Sequence, residues 1–387
     1  MSRTWMVKIT LVAVIGLVVG VAGTQLYTHR HFDVPIVAGP GVTRVAKLSD
    51  YCPTLKGTAG DTNVFFLESG VPGGKALIIA NTHPNEPAGS LAAFVYVENA
   101  VPEQGTLIVI PEFNNSGSRG TWQGDGYPLY FGIKTPWGEK TFRMGGRGVS
   151  QVDQWPDPDI FVHYPERQLL SYIDARNTNR TWPGRPNGIL AERVCYAAME
   201  LIRQEGVDVV LDLHGAETMF PVTNCIVAPD KSIRIATMTT LTVSMAEGFA
   251  NHVEPSPRNF HGLSHREIGD YSDAYPFLLE APIPFLDQPT GPKTVQLLLD
   301  GKDEFLLSLS KQKRLFVPYT EAGWPMEKRV GQHCSVSLEI FNQFGKRFPD
   351  KAIVISGTPK YADLVANGVG AYLHDPERAA PDRVYYE

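Results

Sequence analysis

Cysteine is scarce in this chain, and Cys52, Cys195, Cys225 and Cys334 stand far apart without forming a C-x-x-C pair. That spacing does not read as a thiolate metal site or a dithiol redox centre. One or two disulfides stay open for an exported chain, with buried thiols the plainer reading. A dominant charge sign is also missing. The 35 Lys and Arg are scattered among 41 Asp and Glu, for a net charge of −6, so no basic footprint marks a nucleic-acid partner. No G-x-S-x-G elbow and no Walker-type loop occur, which argues against a serine hydrolase or a nucleotidase. Repeats and low-complexity tracts are absent too. What is plentiful is Gly and Pro, 36 and 30 residues, which favours a loop-rich enzyme over a helical bundle. At 387 residues the chain can form one sizeable α/β domain with an appendage, or two domains.

A single long apolar run stands at the N-terminus. Arg3 and Lys8 precede Ile9 to Ala22, interrupted only by Thr10, Gly16 and Gly20. This is a basic region followed by an apolar stretch of signal-peptide length. It is a little short for a span of about 20 residues, though Gly23 to Leu26 extend it. Val21-Ala22-Gly23 offers small residues for cleavage without a clean A-x-A pattern. A cleaved export signal and a retained membrane tether through residues 9–26 both stay open. Either places the body outside the cytoplasm, secreted, periplasmic or membrane-anchored.

Beyond about residue 60, strand-like and helix-like stretches alternate. Val64–Leu67, Ala76–Ala80, Leu107–Ile110, Val207–Leu213 and Tyr275–Ala281 are short apolar runs of buried-strand type. Helices are expected over residues 87–100, 189–205, 231–250 and 294–312. Residues 114–160 show little periodicity, and a loop of that length is usually functional. From Leu315 on, stretches such as Ser335–Ile340 and Ala352–Ile355 suggest short strands.

The chemistry gathers at strand ends, where open parallel sheets bind ligands. His83 and Glu86 follow the run Ala76–Ala80, and His214 ends the run Val207–Leu213. Two imidazoles and a carboxylate form a zinc ligand set that leaves a fourth position for water. Asp212 sits two residues from His214 and is suited to an outer-shell or buried hydrogen-bonding role. Asn179 and Arg180, within Arg176–Gly184, can present an amide and a guanidinium fork to a carboxylate. His261, Ser264, His265 and Arg266 form another polar cluster, open to a pocket-lining, second-metal, Ser/His nucleophile or purely structural reading.

In that order, H-P-N-E-P-A-G (residues 83–89), N-T-N-R-T-W-P-G (177–184) and V-L-D-L-H-G (210–215) resemble the zinc carboxypeptidase superfamily, most of all its succinylglutamate desuccinylase/aspartoacylase-like branch. Each motif alone is weak; three in order are specific. Thr178 and Trp182 depart from the usual Leu and Phe, and neither is a ligand. The resemblance implies an α/β fold with a mixed, mostly parallel sheet flanked by helices, Zn2+ on His83, Glu86 and His214, and a substrate carboxylate on Asn179 and Arg180. Arg176 is assigned to substrate binding with them. It also implies a general acid/base Glu on a later strand, for which Glu280 is preferred and Glu339 is the rival. An Arg that polarises the scissile carbonyl is implied as well. Arg147 is chosen for it, with Arg176, Arg167 and a simple surface role competing.

The expected domains are residues 1–31 as signal or anchor, 32–313 as a zinc hydrolase domain, and 314–387 as a small C-terminal β-rich extension. The expected substrate is a small molecule or peptide with a free carboxylate, cleaved at an amide bond. Deacylation of an N-acyl amino acid leads, followed by an extracytoplasmic carboxypeptidase or amidase, then a non-catalytic zinc-binding module.

Overall fold

The computed structural model describes residues 2–121 and 125–387. Its centre is an eight-stranded sheet made of β1 (Val42–Lys47), β2 (Asn63–Glu68), β3 (Lys75–Ala80), β4 (Thr106–Ile110), β5 (Val209–Glu217), β6 (Cys225–Ala228), β7 (His252–Pro255) and β8 (Tyr275–Ile283). The spatial order is β7-β6-β8-β5-β3-β4-β2-β1. The neighbours β8/β5, β5/β3, β3/β4 and β6/β7 are parallel, and β6/β8, β4/β2 and β2/β1 are antiparallel. The expected mixed sheet with a parallel heart is therefore present.

Side chains of period two sort onto the two faces. Ala76, Ile78 and Ala80 enter one core, while Leu77 and Ile79 enter the other. The runs are apolar on both sides because both faces are covered. The longer helices are α1 (Arg3–Arg30), α2 (Pro87–Asn99), α3 (Leu190–Glu205), α4 (Ile233–Ala246), α5 (Ser264–Tyr271) and α6 (Met326–Arg347). Helix α2 is buried over residues 87–98 because it lies between β3, β4 and β5 on one side and α6 on the other. Helix α3 presents Val194, Cys195, Ala198, Leu201 and Ile202 to the opposite face of the sheet.

Gly89 explains how close α2 comes to the sheet. A Cβ there would lie 2.6 Å from the Leu213 carbonyl oxygen, so only glycine lets this first turn sit against β5. That approach carries Glu86 to His214.

The expected β-rich extension is corrected. Residues 326–347 form the 22-residue α6, and Ser335–Ile340 lies inside it. Val330, Cys334, Phe341 and Phe344 face the core at helical spacing. Short strands at Val354–Ser356 and Val384–Tyr386 pair with Val101–Gln104 and Pro35–Val37, so this segment is sewn onto the main domain. The presumed loop of residues 114–160 contains an antiparallel hairpin, Tyr130–Thr135 with Gly138–Arg143, whose Phe131, Ile133 and Phe142 are buried. The helix expected over 294–312 is two shorter ones, Val295–Asp300 and Glu304–Lys311, divided at Gly301. All four cysteines are buried free thiols.

Helix α1 runs 28 residues, about 42 Å at 1.5 Å per residue. It is long and apolar enough to cross a membrane, and its apolar window is wholly exposed.

Candidate metal centre

His83 and Glu86 occupy the turn between β3 and α2. Glu86 N donates to His83 O at 3.0 Å, closing that turn, and Pro87 starts the helix where no backbone donor is needed. His214 lies on the adjoining β5. Ligand atoms of His83, Glu86 and His214 lie within 4.8 Å of one another, all three residues buried.

Hydrogen bonding sets which nitrogen of His83 faces inward. Asn177 Oδ1 accepts from Asn179 N at 2.9 Å, and His83 Nε2 lies 2.9 Å from the same oxygen. An amide oxygen only accepts, so Nε2 carries the proton and Nδ1 presents its lone pair. That lone pair is 2.7 Å from Glu86 Oε1. His214 Nδ1 is 3.0 Å from Glu86 Oε2, and its Nε2 is 3.0 Å from Asp212 Oδ2. Asp212 is held by hydroxyls of Thr82 and Ser264. Two acceptors facing one another at such distances repel unless a proton or a cation lies between them. The donor set of two imidazoles and one carboxylate, with His83 oriented by Asn177 and Asp212 lying beside His214, fits a divalent metal of the zinc type.

The electrostatics agree. Burial, with the Arg147 charge adding to it, pushes the His83 imidazole down to about 4, leaving it neutral. Burial works against ionising Glu86, but the charge on His214 and its hydrogen bond hold the carboxyl well below the usual range. Burial also opposes charge on His214, yet the Asp212 and Glu86 carboxylates raise it well above the ordinary histidine value. In this pocket His214 holds the proton that a cation would replace.

Glu280 is directly opposite His214 in the parallel β5/β8 register. The residue is partly open, yet its Oε2 is sealed from solvent and has no hydrogen-bond partner. Burial raises its pKa well above normal; Glu86 and Glu217 add to this, while His214 and Arg147 oppose it. Its rival Glu339 sits on α6 and accepts from Asn342 and Gln343 of its own helix.

The stretch 177–184 wraps the same centre. Asn179 Oδ1 accepts from Ser264 N at 2.9 Å, and the Arg180 guanidinium lies 4.7 Å from the Phe260 ring centroid. Burial lowers Arg180 to about 10, with Asp174 opposing. Gly262 is needed here: its φ is +89° and a Cβ would collide with the Arg180 carbonyl. Arg147 Nη1 is 3.8 Å from Glu86 Oε1 and its side chain is 40% exposed. Arg176 pairs with Asp157 through Nε and Nη2. Arg167 is an exposed turn residue with φ +58°.

Of the other polar cluster, Ser264 bonds Asp212 and His265 Nδ1 contacts Ser256 Oγ at 2.8 Å. Burial drives His265 down to about 3. His261, His163 and Glu267 converge as well, but His163 Nε2 donates to the Trp182 carbonyl at 2.6 Å and His261 Nδ1 bonds Glu267 Oε1 at 2.9 Å. That group braces the 177–184 loop. Asn177 opens the second motif, and its neutral amide carries no charge signal that would mark it in the sequence.

No family model and no curated protein matches the chain. Among solved structures it is similar to a metallo-carboxypeptidase from Burkholderia cenocepacia, at 14% identity and TM-score 0.44, over 80% of this chain and 66% of that one. It is also similar to an aspartoacylase family protein from Mesorhizobium loti, at 20% identity and TM-score 0.36, over 65% and 66% of the two chains. A third is the tripeptide-bound cell shape determinant Csd4 from Helicobacter pylori, at 13% identity and TM-score 0.40, over 76% of this chain and 56% of that one. The chain thus spans less than two thirds of the length of the Csd4 structure and just under two thirds of the other two. These are distant likenesses, and the chemistry of the centre rests on its own side chains.

Proposed function

We propose that this protein is a zinc-dependent hydrolase that cleaves an amide bond in a substrate bearing a free carboxylate. The observation that carries the reading is the convergence of His83, Glu86 and His214 beside the solvent-sealed Oε2 of Glu280. Zinc held by the three ligands would supply Lewis acidity toward a carbonyl and acidify a water. Glu280 takes the proton of the attacking water and returns it to the leaving nitrogen. Its raised pKa suits the return, and a nearby divalent charge would favour the ionised form needed to begin. Arg147 stabilises the developing oxyanion. Asn179 and Arg180 hold the carboxylate, and Arg176, through Asp157, steadies the loop they stand on. Helix α1 serves as a membrane anchor or export signal, with the body outside the cytoplasm.

The test is hydrolysis of N-acyl amino acids and of peptides with free C-termini by the full chain, with zinc and with chelator. Turnover that needs zinc supports the reading, and preference between the panels decides deacylase against peptidase. Glu280→Gln should lower kcat by about 10²–10⁴-fold with zinc still bound, and His83→Ala should lose the metal. Zinc bound without turnover of either panel would leave a metal-binding module and sink the enzyme.

A further inference from the structure

Between residues 150 and 173 the chain carries large apolar side chains on its outside. Val152, Trp155, Ile160, Val162, Leu169 and Tyr172 are each 47–77% exposed. Val162 and Leu169 oppose one another across the short hairpin Phe161–Val162/Leu169–Leu170, while Phe161 turns inward. A hairpin in water normally faces polar residues outward, and clustered apolar exposure marks a contact surface.

Helix α1 ends at this surface. Arg30 Nη2 bonds Asp153 Oδ1 at 2.5 Å, between Val152 and Trp155 in the chain. His29 is buried, with Nε2 donating to the Met144 carbonyl at 2.8 Å, and Arg119 Nη1 donates to the Arg30 carbonyl at 2.9 Å. No flexible linker separates the exposed apolar helix from the body. Whatever nonpolar medium covers α1 therefore begins next to the patch.

We propose that residues 150–173 are a membrane-resting face, lying at the headgroup boundary of the same bilayer that takes α1. Trp and Tyr rings suit that boundary, where one edge is apolar and the other wet. Asp153, Asp157, Asp159 and Glu166 stand against Arg167 alone, so attraction to anionic lipid is not the driver. Apolar contact is. The face is also tied to the 177–184 loop, through Asp157 with Arg176 and His163 with the Trp182 carbonyl. Resting on the bilayer thus holds the substrate loop at the membrane surface. The proposal rests on the anchor reading of α1 and is independent of hydrolysis.

The test uses the full chain in phosphatidylcholine nanodiscs with a nitroxide label at Leu169→Cys, the native thiols being buried. Labels at Met245→Cys on α4, 88% exposed, and Val14→Cys in α1 serve as references. A water-soluble nickel quencher should reach Leu169 several-fold less than Met245, regardless of salt. Equal quenching at Leu169 and Met245 with Val14 protected overturns the face alone. Quenching at Val14 as well overturns the anchor reading and the face with it. Protection of Leu169 that grows with protein-to-lipid ratio assigns the patch to a second copy and also overturns the proposal.

Discussion

Asn177 Oδ1 takes hydrogen bonds from His83 Nε2 and Asn179 N, so one atom orients a candidate metal ligand and the residue beside Arg180. Asn177→Ala leaves the imidazole without that constraint. Outer partners of ligating histidines typically change metal affinity by about 10–100-fold. We expect zinc affinity in chelator competition to fall within that range while the melting transition moves little. An unchanged affinity would show that the neighbouring packing alone orients His83. His83 and His214 announce themselves in sequence because a histidine after an apolar run is rare chemistry. Asn177 does not, since its amide is ordinary loop composition until the fold brings it to His83.

Among elements, the approach of α2 to β5 decides whether the centre exists. Gly89→Ala would put a methyl into the Leu213 carbonyl, forcing the first turn of α2 outward and Glu86 away from His214. The expected outcome is loss of zinc binding from a chain that still folds, seen by metal analysis beside circular dichroism. Full zinc occupancy would mean the strand yields instead. The parallel strands were legible because runs buried on both faces read as continuous Val, Ile and Leu. Glu280 was legible as a charge within such a run, but its register opposite His214 belongs to the pairing of β5 with β8. Helix α6 was misread because Val336-Ser337-Leu338-Glu339-Ile340 alternates over five residues. The wider spacing of Val330, Cys334, Phe341 and Phe344 carried the helical signal, and the local alternation masked it. Hairpin Tyr130–Arg143 lies inside a stretch whose weak periodicity suggests a plain loop.

At the scale of the molecule, Glu98 near the end of α2 is a junction. Its buried carboxylate accepts from Lys140 Nζ at 3.0 Å, from Val37 N at 3.2 Å and from His374 N at 2.5 Å. Hairpin, N-terminal strand and C-terminal segment therefore meet on one charge. Burial lowers the Lys140 pKa, with Glu98 opposing. Lys140→Met would strand that carboxylate, and losing one partner of a buried pair costs about 3–5 kcal/mol. Denaturant unfolding should show it, and Lys140→Met with Glu98→Gln should recover part of the loss. A single variant as stable as the parent would show that Glu98 is neutralised without lysine.

The pairing of Pro35–Val37 with Val384–Tyr386 is closed further by Val34 and Glu387, whose backbone groups bond each other in both directions, and by Arg383, which donates to the Ala38 and Val42 carbonyls. Short two-stranded pairs at the edge of a domain ordinarily open first. Here each outer segment is the other's clasp, so neither can peel away while its counterpart stays in place. Hydrogen exchange at the Val34 and Glu387 amides should therefore follow the free energy of cooperative opening, slowing as stabilising conditions are applied. Exchange at the rate of an unstructured segment would show the clasp to be loose.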